Sequence, residues 1–200
     1  MATYTTVEYR RGPMMQTMAR PAVRPMRSRD LRTLRSVIAE ANEEFRGVAP
    51  EAFFRSYMAS TSDVEGRLMQ GATVLIAEHQ GILVGSISYY PDANAEGMGV
   101  GFPPRTAGIR ATAVHPGARS LGIGHALVRA CVEQAIADGS VAIALHTATF
   151  MRAAIHLYEG FGFQRRTAHD YPVGRFFPSD PDEDLVAMAF VRDLDPADRG

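Results

Sequence analysis

Arg119–Leu127 reads RSLGIGHAL and lies between an apolar run, GIRATAV (residues 108–114), and a helical pattern, HALVRACVEQAIADG (residues 125–139). Glycine in the first turn of a helix costs about 1 kcal/mol against alanine, so Gly122 and Gly124 need a reason other than helix propensity. A strand, a glycine-bearing turn and a helix, in that order, leave several N–H groups at the helix start without partners. The aligned peptides add about half a positive charge there. Such an end binds anions: glycine lets the main chain approach a phosphate because no Cβ intervenes, and Arg119 adds a cation at the rim. The stretch reads as a pyrophosphate site, though of neither common kind. The dinucleotide pattern requires a third glycine where Leu127 stands, and the P-loop a lysine where His125 stands.

Outward from this point the chain alternates clear signals. AVRPM (residues 22–26) predicts a short strand, and SRDLRTLRSVIAEANEEF a helix with Leu31, Leu34, Ile38 and Ala41 on one face, capped by Ser28 or Asp30. PEAFFRSYMAS predicts a second helix, with Phe53, Phe54, Tyr57 and Met58 toward the core. ATVLIAEHQGILVGSISYYP predicts an antiparallel hairpin turning at His79–Gly81. A glycine-rich loop, NAEGMGVGFPPRTAG, leads to the strand GIRATAV, and the helix from Gly122 ends near Asp138. Then follow a strand (VAIALHTA), a helix (FMRAAIHLYEGF), a strand at residues 162–166 and a last strand in EDLVAMAFVRDL. The expectation is an α/β protein built on one central mixed sheet flanked by helices.

The 200 residues, 46% hydrophobic and 22% charged, suit one globular domain with a sizeable core. A formal net charge of −1 supplies no basic field for nucleic acid. No window approaches the roughly 18 apolar residues of a membrane span, and Arg10–Arg11 are followed by GPMMQTMARP rather than an apolar signal region. The single cysteine, Cys131, sits on the apolar face of a helix and reads as an inert core thiol. It excludes an intramolecular disulfide and a multi-cysteine zinc site, and fits a cytoplasmic protein. Arginine is the sole basic residue besides histidine, a bias of GC-rich bacterial genomes. Residues 1–22 carry no periodic face and read as a mobile tail, with Met1, Met14, Met15 and Met18 all candidate starts. Residues 23–194 form the domain, and residues 195–200 a second tail.

VHPGARSLGIGHAL resembles the coenzyme A binding motif of the GNAT superfamily of N-acetyltransferases, V-x-P-x-x-[QR]-x-x-G-x-[GA], through Val114, Pro116, Arg119, Gly122 and Gly124. AAIHLYEGFGF resembles that family's closing motif through Ala154, Leu157, Tyr158, Gly162 and Phe163. The resemblance implies the family's fold and acetyl-CoA as cosubstrate, with no metal. It implies that main-chain groups of Thr112 and Val114 pair with the pantetheine arm where their strand splays from the next. The N–H groups from Arg119 through Ser120, Leu121, Gly122, Ile123 and Gly124, with His125 and Ala126, would hold the pyrophosphate. Tyr158 would be the acid that protonates the departing thiolate. An amine acceptor, small-molecule or peptide, is implied as partner, and a homodimer is common among relatives.

Two positions depart from the family pattern. Met151 stands where an asparagine often contacts the pantetheine arm, and GIRATAV has Arg110 and Thr112 but no glutamate to act as base. Glu40, Glu44, Asp92 and His146 are the candidate bases, and Glu40, Glu43 and Glu44 would draw a cationic amine to the mouth. The expected reaction is direct acetyl transfer to an amine. The alternative is a non-catalytic acyl-CoA binding or sensing domain, which would keep the glycines and lose the acid and base.

Overall fold

The computed structural model describes residues 20–95, 101–175 and 185–195. Its strands are β1 (Ala22–Pro25), β2 (Thr73–His79), β3 (Ile82–Tyr90), β4 (Thr106–Val114), β5 (Ala142–Thr147), β6 (Gln164–Arg165), β7 (Tyr171–Pro172) and β8 (Val186–Asp193). Its helices are α1 (Leu31–Asn42), α2 (Glu51–Ser62), α3 (Val64–Met69), α4 (Ile123–Ala137) and α5 (Arg152–Gly160). One mixed sheet runs β1-β2-β3-β4-β5-β8-β6, with β7 beside β8; β4 and β5 are parallel and every other pair is antiparallel.

The hairpin turns through Gln80 and Gly81, both at positive φ, as a two-residue loop matching the strand twist requires. On β2, Leu75 and Ala77 join the core under α4, while Val74 and Ile76 join the core under α1. A period of two with both faces covered explains why VLIA (residues 74–77) is apolar throughout. The α4 core includes Ile123, Leu127, Val128, Cys131 and Ala135 with Ile109, Ile143, Leu145 and Tyr158. Cys131 is fully buried there and its thiol is pushed up by desolvation, in keeping with a core residue.

One local expectation is revised. Helix α1 starts at Leu31, after a 3-10 turn at Ser28–Asp30, and neither Ser28 nor Asp30 caps it. The Asp30 carboxylate instead accepts from the Arg27 N–H at 2.7 Å and pairs with Arg24 at 2.7 Å. Ala22, the last residue of the expected N-terminal tail, opens β1 opposite Glu78; residues 1–19 of that tail and 196–200 of the C-terminal one lie outside the described residues. Residues 96–100 of the glycine-rich loop also lie outside them. On either side, Asn94 accepts from the Phe102 N–H at 2.9 Å and donates to its carbonyl at 3.1 Å.

Candidate active site

The sheet opens between its two parallel strands. The β4–β5 ladder runs from Thr106↔Ala142 to Ile109↔Leu145 and stops there, although β4 continues to Val114 and β5 to Thr147. The cause lies on the other edge of β4, where the register against β3 shifts between Ser86 and Ser88 and Ala111 takes φ +51°. One extra residue bends the strand away from β5. Beyond Ile109, backbone groups of β4 on this side have no β5 partner strand, and an extended ligand can pair with them as an added strand would.

The bulge also sorts side chains between the faces. Ile109, Leu145 and Tyr158 belong to the core under α4, whereas Ala144 and Phe102 pack on the opposite face with the His146 ring 5.4 Å from Phe102. On the α4 side the buried Tyr158 hydroxyl donates to Thr112 Oγ1 at 3.0 Å, and burial pushes its phenol up to about 12. A cavity of about 140 Å³ runs through the split. Its lining includes Thr112, Met151 and Tyr158 together with Tyr57, Arg110 and His146.

Above the split, Ser120 has φ +65° and Gly122 φ +76°, and α4 begins at Ile123. Among the described residues, no acceptor takes the backbone N–H groups of Ser120 through His125; the first intrahelical bond is from Ala126 N–H to the Gly122 carbonyl at 3.0 Å. A β-carbon at Gly122 would meet nothing within 4 Å. An open left-handed turn ending in six consecutive unpaired donors fits an anion such as a pyrophosphate. The Arg119 N–H goes to the Pro116 carbonyl at 3.3 Å, and its guanidinium forks onto Glu44 at 2.8 and 2.9 Å.

The family model for the acetyltransferase (GNAT) family matches residues 34–163, a span that includes the split, the turn and Tyr158. The chain belongs to the acetyltransferase (GNAT) family. Solved structures share its fold. A putative acetyltransferase, YncA, from Salmonella typhimurium with its cofactor acetyl-CoA is 18% identical over 89% of this chain and 96% of that one, with a TM-score of 0.60. The PaiA N-acetyltransferase from Thermoplasma acidophilum in complex with coenzyme A is 15% identical over 87% and 99%, with a TM-score of 0.63. A ribosomal-protein-alanine N-acetyltransferase from Brucella melitensis is 21% identical over 86% and 99%, with a TM-score of 0.59. No curated protein matches the sequence.

In this acetyltransferase the acidic residues expected at the acceptor mouth are already paired. Glu40 accepts from His115 Nε2 at 2.8 Å, the tautomer being set by Gly117 N–H donating to His115 Nδ1. Glu43 pairs with Arg46, and Glu44 with Arg119. Asp92 accepts from Asn94 and does not line the cavity. Of the four candidate bases only His146 lines it. A carbonyl can only accept, so the 2.9 Å contact between His146 Nε2 and the His169 oxygen puts the proton on Nε2 and leaves Nδ1 as the lone-pair nitrogen. Desolvation, first, holds the imidazole below its ordinary value. Sequence reasoning missed Tyr57, Ser60 and Tyr171 as cavity walls. They come from α2 and β7, far from either motif, and no local pattern marks them.

Proposed function

We propose that this acetyltransferase takes its acetyl group from acetyl-CoA and transfers it directly to an amine nitrogen. The observation that carries the reading is the opened β4–β5 ladder with the Tyr158 hydroxyl on Thr112 at its edge. Thr112 and Val114 would pair with the pantetheine arm by their main chain, and the donors of Ser120, Leu121, Gly122, Ile123, Gly124 and His125 would hold the pyrophosphate. Met151, lining the cavity, would offer apolar contact where an asparagine would have hydrogen-bonded.

The two sides of the sheet suit two proton transfers. An alkyl ammonium with reference pKa about 10.4 costs about 4–5 kcal/mol to deprotonate at pH 7, so the nucleophile needs a dry pocket and a base. As nitrogen bonds to the acetyl carbon, the C–S bond breaks and its electron pair goes to sulfur. The ammonium gives its first proton to solvent and attacks as the neutral amine; His146 Nδ1 then takes the proton that nitrogen loses on becoming an amide, and the Tyr158 hydroxyl gives one to the thiolate. Solvent then restores both groups, and the net products are the amide and the free thiol. A phenol raised by burial is a weak acid toward a thiolate whose conjugate acid is near 8.5, so its contribution depends on its fixed position.

The test follows thiol release from acetyl-CoA against a panel of amines, with mass spectrometry of the acetylated acceptor. Turnover with an N-acetyl product is expected. Binding of acetyl-CoA without turnover on any amine would favour the binding or sensing alternative. We also take residues 23–194 as the transferase unit and the cytoplasm as its location; among the described residues no helix is long and apolar enough to cross a membrane.

A further inference from the structure

Asn42 is the last residue of α1, the helix on the sheet face opposite the Tyr158 core, and it is 4% exposed. Its neighbour Ala41 packs in one cluster with Ala113 of β4, one residue past the Thr112 that takes the Tyr158 hydroxyl. Asn42 therefore stands level with the transfer end of the split. Its Nδ2 donates to the Ile38 carbonyl at 2.8 Å. A carbonyl can only accept, so the amide nitrogen is fixed on that side and Oδ1 is turned from it. Oδ1 does not cap the 3-10 turn at Glu43–Phe45, the usual task of an asparagine in that place, and no other donor among the described residues reaches it. The side-chain atoms that are both sealed and unpaired among the described residues are His79 Nδ1 and Thr106 Oγ1, so Oδ1 is open, and Asn42 lines the cavity. An amide oxygen left bare in a buried wall calls for a donor. Beside it the described wall is aromatic, with Phe45 from the turn and, from α2, Phe53 and Tyr57, whose rings stack 5.5 Å apart. Burial, first, and then Tyr158 push the Tyr57 phenol above the ordinary tyrosine range, so this wall lies within electrostatic reach of the transfer end.

We propose that Asn42 selects the acceptor: its Oδ1 takes an N–H of the reacting nitrogen, and the acceptor is a primary amine whose apolar or aromatic body lies on Phe45, Phe53 and Tyr57. This rests on the N-acetyltransferase reading and narrows it. A neutral primary amine carries two N–H groups. The proton lost as the C–N bond forms goes to His146 Nδ1, and the N–H kept in the amide product stays on Asn42 Oδ1, so no further proton or electron pair moves. An N-methyl secondary amine has one N–H, which must leave. Its methyl group would meet Oδ1 and keep that buried oxygen without a donor.

The test compares phenethylamine with N-methylphenethylamine, and isoamylamine with N-methylisoamylamine, by thiol release from acetyl-CoA. It adds calorimetric binding of N-phenethylacetamide and of N-methyl-N-phenethylacetamide to the protein with coenzyme A. The expected kcat/KM is about 10- to 100-fold higher for the primary amines, the range for leaving a buried hydrogen-bonding group unpaired, and the amide that keeps an N–H binds more tightly than its N-methyl counterpart. Asn42→Leu, close in volume and unable to accept, should abolish both preferences, with its far-UV circular dichroism and coenzyme A affinity unchanged. Asn42→Asp, which keeps an acceptor oxygen, should keep part of each. Because the readout is a ratio within one variant, a general loss of folded protein cannot mimic it. Equal turnover of the two amine classes, a preference that survives Asn42→Leu, or turnover confined to amines with polar or charged bodies would overturn the inference and leave the N-acetyltransferase reading standing. Acetyl-CoA binding without turnover of any amine would overturn both.

Discussion

A β-carbon on Gly124 would stand 3.0 Å from Leu157 Cδ2, so the second glycine of RSLGIG is what lets α4 seat against α5. Gly122, two residues earlier, meets nothing and is needed for its positive φ. Two glycines that look alike in sequence thus answer to different constraints, one of packing and one of backbone conformation.

The pair predicts different outcomes. Gly124→Val should lower stability by about 1–3 kcal/mol through overpacking, and Leu157→Ala in the same chain should recover part of it, as thermal denaturation would measure. Gly122→Ala should cost about 1–2 kcal/mol in the left-handed region and weaken coenzyme A binding at least tenfold by calorimetry. Parent-like affinity in a folded Gly122→Ala protein would take the turn out of the coenzyme site.

His146 should govern the acidic limb of the rate profile. Burial holds it below 6.5, helped by His169 and Arg110 and opposed by the His169 carbonyl and Asp170, while the Phe102 and Tyr171 rings cover it. A base must be unprotonated, so kcat/KM should be flat above pH 6.5 and fall as pH drops through a midpoint below that value. His146→Gln keeps an N–H for the His169 carbonyl but no basic nitrogen. It should lower the plateau about 100-fold or more and remove the limb. An unchanged limb would assign the base elsewhere.

Asp30 should set the acid stability of the β1 edge. Arg24, first, and the Arg27 N–H hold its carboxyl down at about 2, below its ordinary value of 3.8. A depressed acid contributes stability that is complete above the unfolded value and is lost as pH falls from about 4 toward 2. Asp30→Asn should therefore lower Tm at pH 7 by about 2–4 °C, the effect of about 1 kcal/mol in a chain of this size. It should also flatten the fall of Tm between pH 4 and 2. A variant whose acid profile matches the parent's would show that the Arg24 pairing does not hold the edge.

The sheet core and the coenzyme side were legible because their signals are local: the hairpin, the strand–turn–helix at Gly122 and the spacing around Tyr158 all fall within about twenty residues. Helix α3 was not, because VEGRLM is short and carries Gly66 at its centre; only the Asp63 carboxylate accepting from the Gly66 N–H marks its start. Strand β7 has two residues, too few to show a period. The acceptor side failed for a different reason. Glu40 and Glu44 read as open acidic residues because their partners, His115 and Arg119, lie 75 positions away. A separation of 50 positions likewise hid the contact between Ser60 and Arg110.

The kcat of Tyr158→Phe, with chemistry shown to be rate-limiting, tests the transfer mechanism most directly. The substitution removes only the hydroxyl that donates to Thr112 and keeps the ring packed 5.8 Å from Phe163. The account predicts a kcat lower by roughly 10- to 1,000-fold with acetyl-CoA affinity little changed. Full kcat in the folded variant would make Tyr158 a packing residue and require the thiolate to take its proton from water.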